Sequence, residues 1–217
     1  MTIQHHLSDS LLMGYAAGNL PEAFNLVVAT HVSLCDECRA RLHALEAVGG
    51  AMLGDNVAPV AMGAGALAET MARIKAQGAP QPRKARDATA DDILPAPLRD
   101  YVGGGVDAVK WRNVGGGVRQ AILPTSRNAS ARLLLIPGGI AVPDHGHRGL
   151  ELTLVLQGAF ADDTARFGRG DVEIAGEDLE HTPIAEPGLD CICLAATDAP
   201  LKFRGLLPRI AQPFLRI

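Results

Sequence analysis

Eight residues of this 217-residue chain have the types and spacings of metal ligands, and they fall into two separate sets. The first, His6, His31, Cys35 and Cys38, reads H-x24-H-x3-C-x2-C. The second, His145, His147, Glu151 and His181, reads H-x-H-x3-E followed by a distant histidine. Each set alone offers the four donors of a tetrahedral zinc site. In the first set, C-x2-C lets two sulfurs reach one ion, and thiols at the start of a helix gain thiolate character from its dipole. His31 is the third donor, and either His6 or its neighbour His5 closes the tetrahedron from the amino-terminal arm. The competing reading is a surface thiol redox pair with unrelated histidines.

In the second set, His145, His147 and Glu151 share sequence parity, so an extended backbone would project them to one face. Three imidazoles and one carboxylate suit Zn, Mn, Fe, Co or Ni. Four ligands closed around zinc make a structural or sensory centre, whereas open positions on iron or manganese would admit a substrate. No catalytic acid or base stands out beyond these ligands, with Glu173, Glu177 and Glu180 the acids left open for that role. Cys191 and Cys193 lie on one face of a strand with α-carbons ~6.6 Å apart, near the upper limit for a disulfide, and are expected to pack in a core.

The first set calls for helices. Ser8 and Asp9 cap a short helix carrying Leu11, Leu12 and Tyr15, ended by Gly18-Asn19. A second starts near Pro21 with Phe24, Val27, Val28 and His31 at helical spacing, and a third runs from Cys35-Asp36 through Leu42, Leu45 and Val48 to Gly49-Gly50. A metal would staple these three, contributing ~10–16 kcal/mol of apparent binding energy to a unit too small to be stable easily. A fourth helix, about 64–77, carries an apolar stripe of Leu67, Met71 and Ile74, which either packs at home or meets a partner.

The second set calls for strands. Residues 79–97 hold Pro80, Pro82, Pro95, Pro97 and a KAR tract, reading as a linker between a helical domain at 1–78 and a β domain at 98–217. Beyond Leu98 come short β runs: VKWRNV, VRQAIL, ARLLLIP, ELTLVLQG, DVEIA, LDCICLAA and LKFRGLL. These predict a sandwich or barrel, giving an α plus all-β two-domain protein. Leu152, Leu154 and Leu156 face away from the ligands and need cover, most simply from a second sheet.

Twenty basic residues stand against 24 acidic ones, with no basic excess in either half, and aromatics are 4%; direct nucleic-acid binding is disfavoured. The amino terminus has no basic and apolar export pattern, and Gly and Pro break every apolar run short of a membrane span, so a cytoplasmic protein is expected.

The segment GIAVPDHGHRGLELTLVLQG fits the first cupin motif, G-x5-H-x-H-x3-E-x6-G, from Gly139 to Gly158 without substitution; the second motif keeps Gly170-Asp171 and His181 but lacks its proline. The H-x3-C-x2-C element with an upstream histidine is similar to the zinc-binding anti-sigma domain, and the whole chain resembles the ChrR family of anti-sigma factors. That resemblance implies zinc at His6, His31, Cys35 and Cys38, a second ion in a cupin, and a helical domain that sequesters an extracytoplasmic-function sigma factor in a roughly equimolar complex. It also implies release on singlet oxygen or related oxidative stress, and a negative regulator of transcription rather than an enzyme. The sharper expectation is that the cupin senses and the linker passes the change on. The alternative is a metal-dependent cupin enzyme, a small-molecule dioxygenase, with a regulatory helical domain.

Overall fold

The computed structural model describes residues 2–55, 58–78 and 93–200, with the backbone of 202–203. Most of the predicted linker, 79–92, and all of LKFRGLL beyond that backbone pair lie outside the described residues.

Four helices fall where capping and periodicity place them. In α1 (Asp9–Ala16) the Ser8 Oγ accepts from Leu11 N at 3.3 Å, and Gly18 leaves the helix at φ +69°. α2 (Glu22–Leu34) starts after Pro21, and α4 (Ala66–Ala76) is amphipathic. α3 (Asp36–Asp55) differs from expectation by running on through Gly49-Gly50. Each glycine costs a helix only about 1 kcal/mol relative to alanine, and Ala51, Met52 and Leu53 favour continuing it. A fifth helix, α5 (Ala96–Val102), replaces the last residues of the predicted linker, so the expected boundary at 97–98 falls inside it. Pro95 occupies its N-cap, Gly103 its left-handed C-cap, and Leu98 is fully buried.

The β half is antiparallel. Its main sheet has the order β1 (Arg112–Gly115), β2 (Val118–Leu123), β3 (Ser130–Ile136), β11 (Cys191–Thr197), β5 (Glu151–Gln157), β8 (Val172–Ala175). Two small sheets face it: β10 (Ile184–Ala185), β6 (Ala159–Ala161) and β7 (Arg166–Gly168); and β12 (Lys202–Phe203), β4 (His145–Gly146) and β9 (Glu180–His181). The sheets form a cupin-like sandwich, not a closed barrel.

Period-two alternation divides the main sheet cleanly. Leu133, Leu135, Leu152, Leu154, Leu156, Ile192 and Leu194 point to one side and are buried with Leu12, Phe24, Val27 and Val28 in a single core. The cover for the leucine row is therefore helix α2, not the second sheet that the sequence suggests. The other side carries Glu151, Thr153, Glu173 and Cys193 and faces a cavity. Glu22, at the start of α2, accepts from Tyr101 Oη at 2.8 Å and from Ser126 N at 2.7 Å, tying this helix to α5 and the β2–β3 connection.

A core shared between the two halves predicts one cooperative transition. Phe24→Ala, at a side chain 3% exposed, is expected to cost about 3–5 kcal/mol. In denaturant titrations the helical circular dichroism and the fluorescence of Trp111, the single tryptophan, should shift together.

Candidate metal centres

The donor atoms of His6, His31, Cys35 and Cys38 lie within 4.8 Å of one another. His6 stands on the arm before α1, His31 on the last turns of α2, Cys35 at its C-cap and Cys38 on the first turn of α3. His6 Nδ1 is 3.3 Å from Cys35 Sγ and 3.6 Å from Cys38 Sγ. His5 points the other way: its Nε2 meets Arg166 O at 3.1 Å and its ring packs on Phe167. The choice left open between these neighbours is thus made by geometry.

The set suits a metal ion. His31 Nδ1 donates to Gly170 O at 2.9 Å, which fixes Nε2 as the lone-pair nitrogen; that nitrogen is buried with no hydrogen-bond partner among the described residues. Burial lowers the His31 pKa to about 4, so the ring is neutral, as a ligand must be. The amide of Cys38 points at Cys35 Sγ from 3.4 Å, as a helix start allows. Against the expected thiolate, burial pushes the Cys38 thiol up to about 11, assisted by its neighbour Cys35. Desolvation here outweighs the helix dipole, so the ion itself must supply the charge that removes the proton.

In the cupin, His145 and His181 are directly opposed on β4 and β9. Donor atoms of His145, His147 and His181 lie within 4.8 Å of one another. Glu151 opens β5 beside this triad but outside its tight grouping, with Oε2 at 3.7 Å from His147 Nδ1. Sequence parity does not describe how the set assembles: His147 lies between strands, not on an extended run with His145 and Glu151. The missing proline of the second motif does not disturb His181, which β9 delivers after a turn closed by Leu179 N to Gly176 O at 3.1 Å.

Two carboxylates orient the triad, and the sequence reading missed one of them in this role and met the other only as a possible base. His181 Nδ1 is 2.9 Å from Asp162 Oδ2 and 3.1 Å from Glu173 Oε1, turning its buried Nε2 to the other histidines. Burial works against the His181 imidazolium, but these carboxylates outweigh it and lift its pKa to about 9. Burial would also raise Asp162, yet hydrogen bonds from Thr164, Ala165 and His181 hold its carboxyl below the usual range. His145 Nδ1 donates to Pro143 O at 2.9 Å, and burial lowers its pKa. Glu151 is raised by burial, against the pull of His145. A divalent ion would reverse that penalty and displace the proton on His181. Because such oriented histidines bind metal 10–100-fold more tightly, Asp162→Asn is expected to weaken any metal binding at the triad by at least about tenfold, read with added zinc by competition with a chromogenic chelator.

The two clusters are joined by four consecutive residues. Gly170 O accepts from His31; Asp171 Oδ1 accepts from Gln4 N at 2.7 Å and His5 N at 2.9 Å, and its Oδ2 from Gly168 N at 2.8 Å. Val172 N donates to His5 O at 3.2 Å, and Glu173 backs His181. Gly170 has φ +91°, a left-handed backbone that favours glycine, and a β-carbon there would also make Ile3 shift, since it would lie 2.6 Å from its Cδ1. The predicted C-x-C pair is buried and free, its sulfurs 3.5 Å apart.

Residues 102–200 match the ChrR cupin-like domain. The chain is 66% identical over all 217 residues, covering 100% of both proteins, to the anti-sigma-E factor ChrR of Cereibacter sphaeroides. Its structure is similar, with TM-score 0.79 and 64% identity, to a chain from the crystal structure of Rhodobacter sphaeroides SigE in complex with the anti-sigma ChrR, covering 91% of this chain and 100% of that one.

Proposed function

The chain belongs to the ChrR family of anti-sigma factors, and from that premise we propose that it sequesters an extracytoplasmic-function sigma factor in a 1:1 complex that depends on zinc. The observation that carries this reading is an exposed apolar surface among the described residues. α4 buries none of its residues: Leu67, Met71 and Ile74 are exposed, as are Met52 and Leu53 at the far end of α3. A stripe of this kind at helical spacing fits a helix-in-groove partner. The reading of α4 as packed at home is set aside, because those side chains meet solvent.

Zinc at His6, His31, Cys35 and Cys38 would lock the amino-terminal arm, α2 and α3 in the arrangement that presents this surface. His145, His147, Glu151 and His181 would hold a second ion in the cupin, the sensory half in this proposal, with singlet oxygen or a related oxidant as stimulus. The change would travel through Gly170–Glu173 as well as along the linker, since these residues touch both clusters. We divide the chain into a partner-binding part at 1–78, a connector at 79–97 and a regulatory part at 98–217. No described helix is long and apolar enough to cross a membrane, and a partner that serves RNA polymerase supports a cytoplasmic location.

Co-expression with an extracytoplasmic-function sigma factor of the same organism, followed by purification and metal analysis, tests the proposal. Two zinc ions and one sigma chain per protein are expected. Met71→Asp, at an exposed position, should leave the melting temperature unchanged and weaken the complex at least about tenfold, as loss of an apolar anchor does. An unaffected complex would remove α4 from the interface.

A further inference from the structure

We propose that Met52, Met62 and Met71 are sites of reversible oxygen-atom modification: a hydroperoxide converts their thioethers to sulfoxides in the sigma-free chain, which then cannot recapture its partner. The modification stands on the chain's own chemistry, and its consequence for capture rests on the partner surface assigned above.

The sulfur of this chain is divided by burial. Cys35, Cys38, Cys191 and Cys193 are at most 3% exposed, whereas the four described methionines, Met13, Met52, Met62 and Met71, are 46–81% exposed. Methionine is among the residues most often buried, yet none stands among the described core residues, whose aliphatic side chains are Leu, Val, Ile and Ala. Three of the four fall between the outer end of α3 and the middle of α4, in the same stretch as Leu53, Val60, Leu67 and Ile74, which are exposed too. A flexible, polarizable thioether suits an adaptable contact surface. It is also the sulfur that meets a dissolved oxidant.

A thiol reacts as its thiolate, but a thioether has no proton to lose. Its sulfur lone pair attacks the outer oxygen of the peroxide, the O–O bond breaks, and the proton on that oxygen passes to the departing alkoxide, or to hydroxide when the oxidant is hydrogen peroxide. Sulfur gives up an electron pair and gains an S=O bond, while the peroxide is reduced to an alcohol or water.

The product is polar and chiral, and it disrupts Met-rich interfaces. An S=O group on this surface loses its water on docking, and desolvating a polar group without a hydrogen bond in return is unfavourable. In the complex the same sulfurs are covered, so the released chain is the substrate. Methionine sulfoxide reductases reverse the change.

The test treats the zinc-loaded full-length chain with hydrogen peroxide and locates added oxygen by peptide mass spectrometry. Met52, Met62 and Met71 should be oxidised in the free chain, and more slowly when the sigma factor of the co-expression experiment is bound beforehand. Sigma affinity is then compared, for each protein, with its own untreated sample. The native chain should lose at least about tenfold, as loss of an apolar anchor does. A protein carrying Met52→Leu, Met62→Leu and Met71→Leu should keep its untreated affinity, whereas Met13→Leu, on α1, should lose as much as the native chain. A thiol reductant alone should not restore the oxidised native chain; the same reductant with the methionine sulfoxide reductases for both epimers should. That arm separates oxidised thioethers from damage at the zinc thiolates. Unmodified methionines, oxidation unslowed in the complex, undiminished affinity after oxidation, equal loss in the triple variant, or no recovery with the reductases would each overturn the proposal. An untreated chain that captures no sigma factor would instead overturn the function proposed above, and the block on recapture with it.

Discussion

Replacing Cys35 with serine is expected to abolish co-purification of the sigma factor and to lower bound zinc from two ions per chain to one. Serine cannot supply a thiolate, and the three remaining donors would have to hold the ion on an open face. The loss would reach the partner surface because the cluster is the point where the arm, α2 and α3 converge: His6 Nδ1 approaches both sulfurs, and the arm that carries it has no helical structure of its own before Asp9. Without that link, α3 is set by its first half, through Leu42, Leu45, Arg41 on Asp9 and Arg39 on Val32 O, while none of the residues of its outer half, with Met52 and Leu53, is buried. A structural zinc contributes ~10–16 kcal/mol of apparent binding energy in small domains, far more than any one of those contacts. Zinc content by mass spectrometry and the sigma factor retained on an affinity column are the measurements. A complex retained at native yield with one zinc missing would show that the partner surface is set by packing, not by the ion.

Local chemistry carries much of this architecture in the sequence, and tertiary contact carries the rest. The β5 and β11 strands are legible because their two faces differ: Glu151 and Thr153 alternate with Leu152 and Leu154, and Cys191 and Cys193 with Ile192 and Leu194. That the leucines meet α2 is not legible, since an apolar row specifies that it be covered and not by what. The helix at Ala96–Val102 was hidden by its own punctuation. Pro95 and Pro97 read as linker residues in a proline-rich tract, although proline at a helix start and Gly103 just past its end are also a helix signature.

The candidate donor groups are legible because metal donors must be of a few types and within a short reach. Their supporting residues are not. Asp162 lies 19 positions from His181, with no spacing that marks it, and only the closing of β9 over the strand pair β6–β7 brings them together. Likewise, His5 and His6 are equivalent in sequence, and what separates them is that Phe167 and Arg166 O claim one ring while two sulfurs claim the other.

The turn at Gly170-Asp171 was legible as part of a cupin motif, but its second role is visible only in the assembled chain, and Asp171→Ala tests that role directly. Its carboxylate receives three backbone N–H groups, from Gln4, His5 and Gly168. Two of the three belong to the arm that carries His6. Truncation removes their acceptor, at a cost of about 1–3 kcal/mol for each donor left without one. Asp171 is 5% exposed, so water only partly replaces it. The arm should loosen, and zinc at His6, His31, Cys35 and Cys38 should weaken by about 10–100-fold, the range for loss of an outer-shell partner. Zinc at His145, His147 and His181 should change far less, because Glu173 and Asp162 remain in place to hold His181. Chelator competition that resolves the two sites supplies both affinities in one titration. Selective weakening of the helical site by a substitution in the cupin would establish that its metal affinity is written partly in the turn before β8. Equal weakening at both sites would instead mark Asp171 as a residue of general stability, and the route from cupin to helices would then rest on the linker.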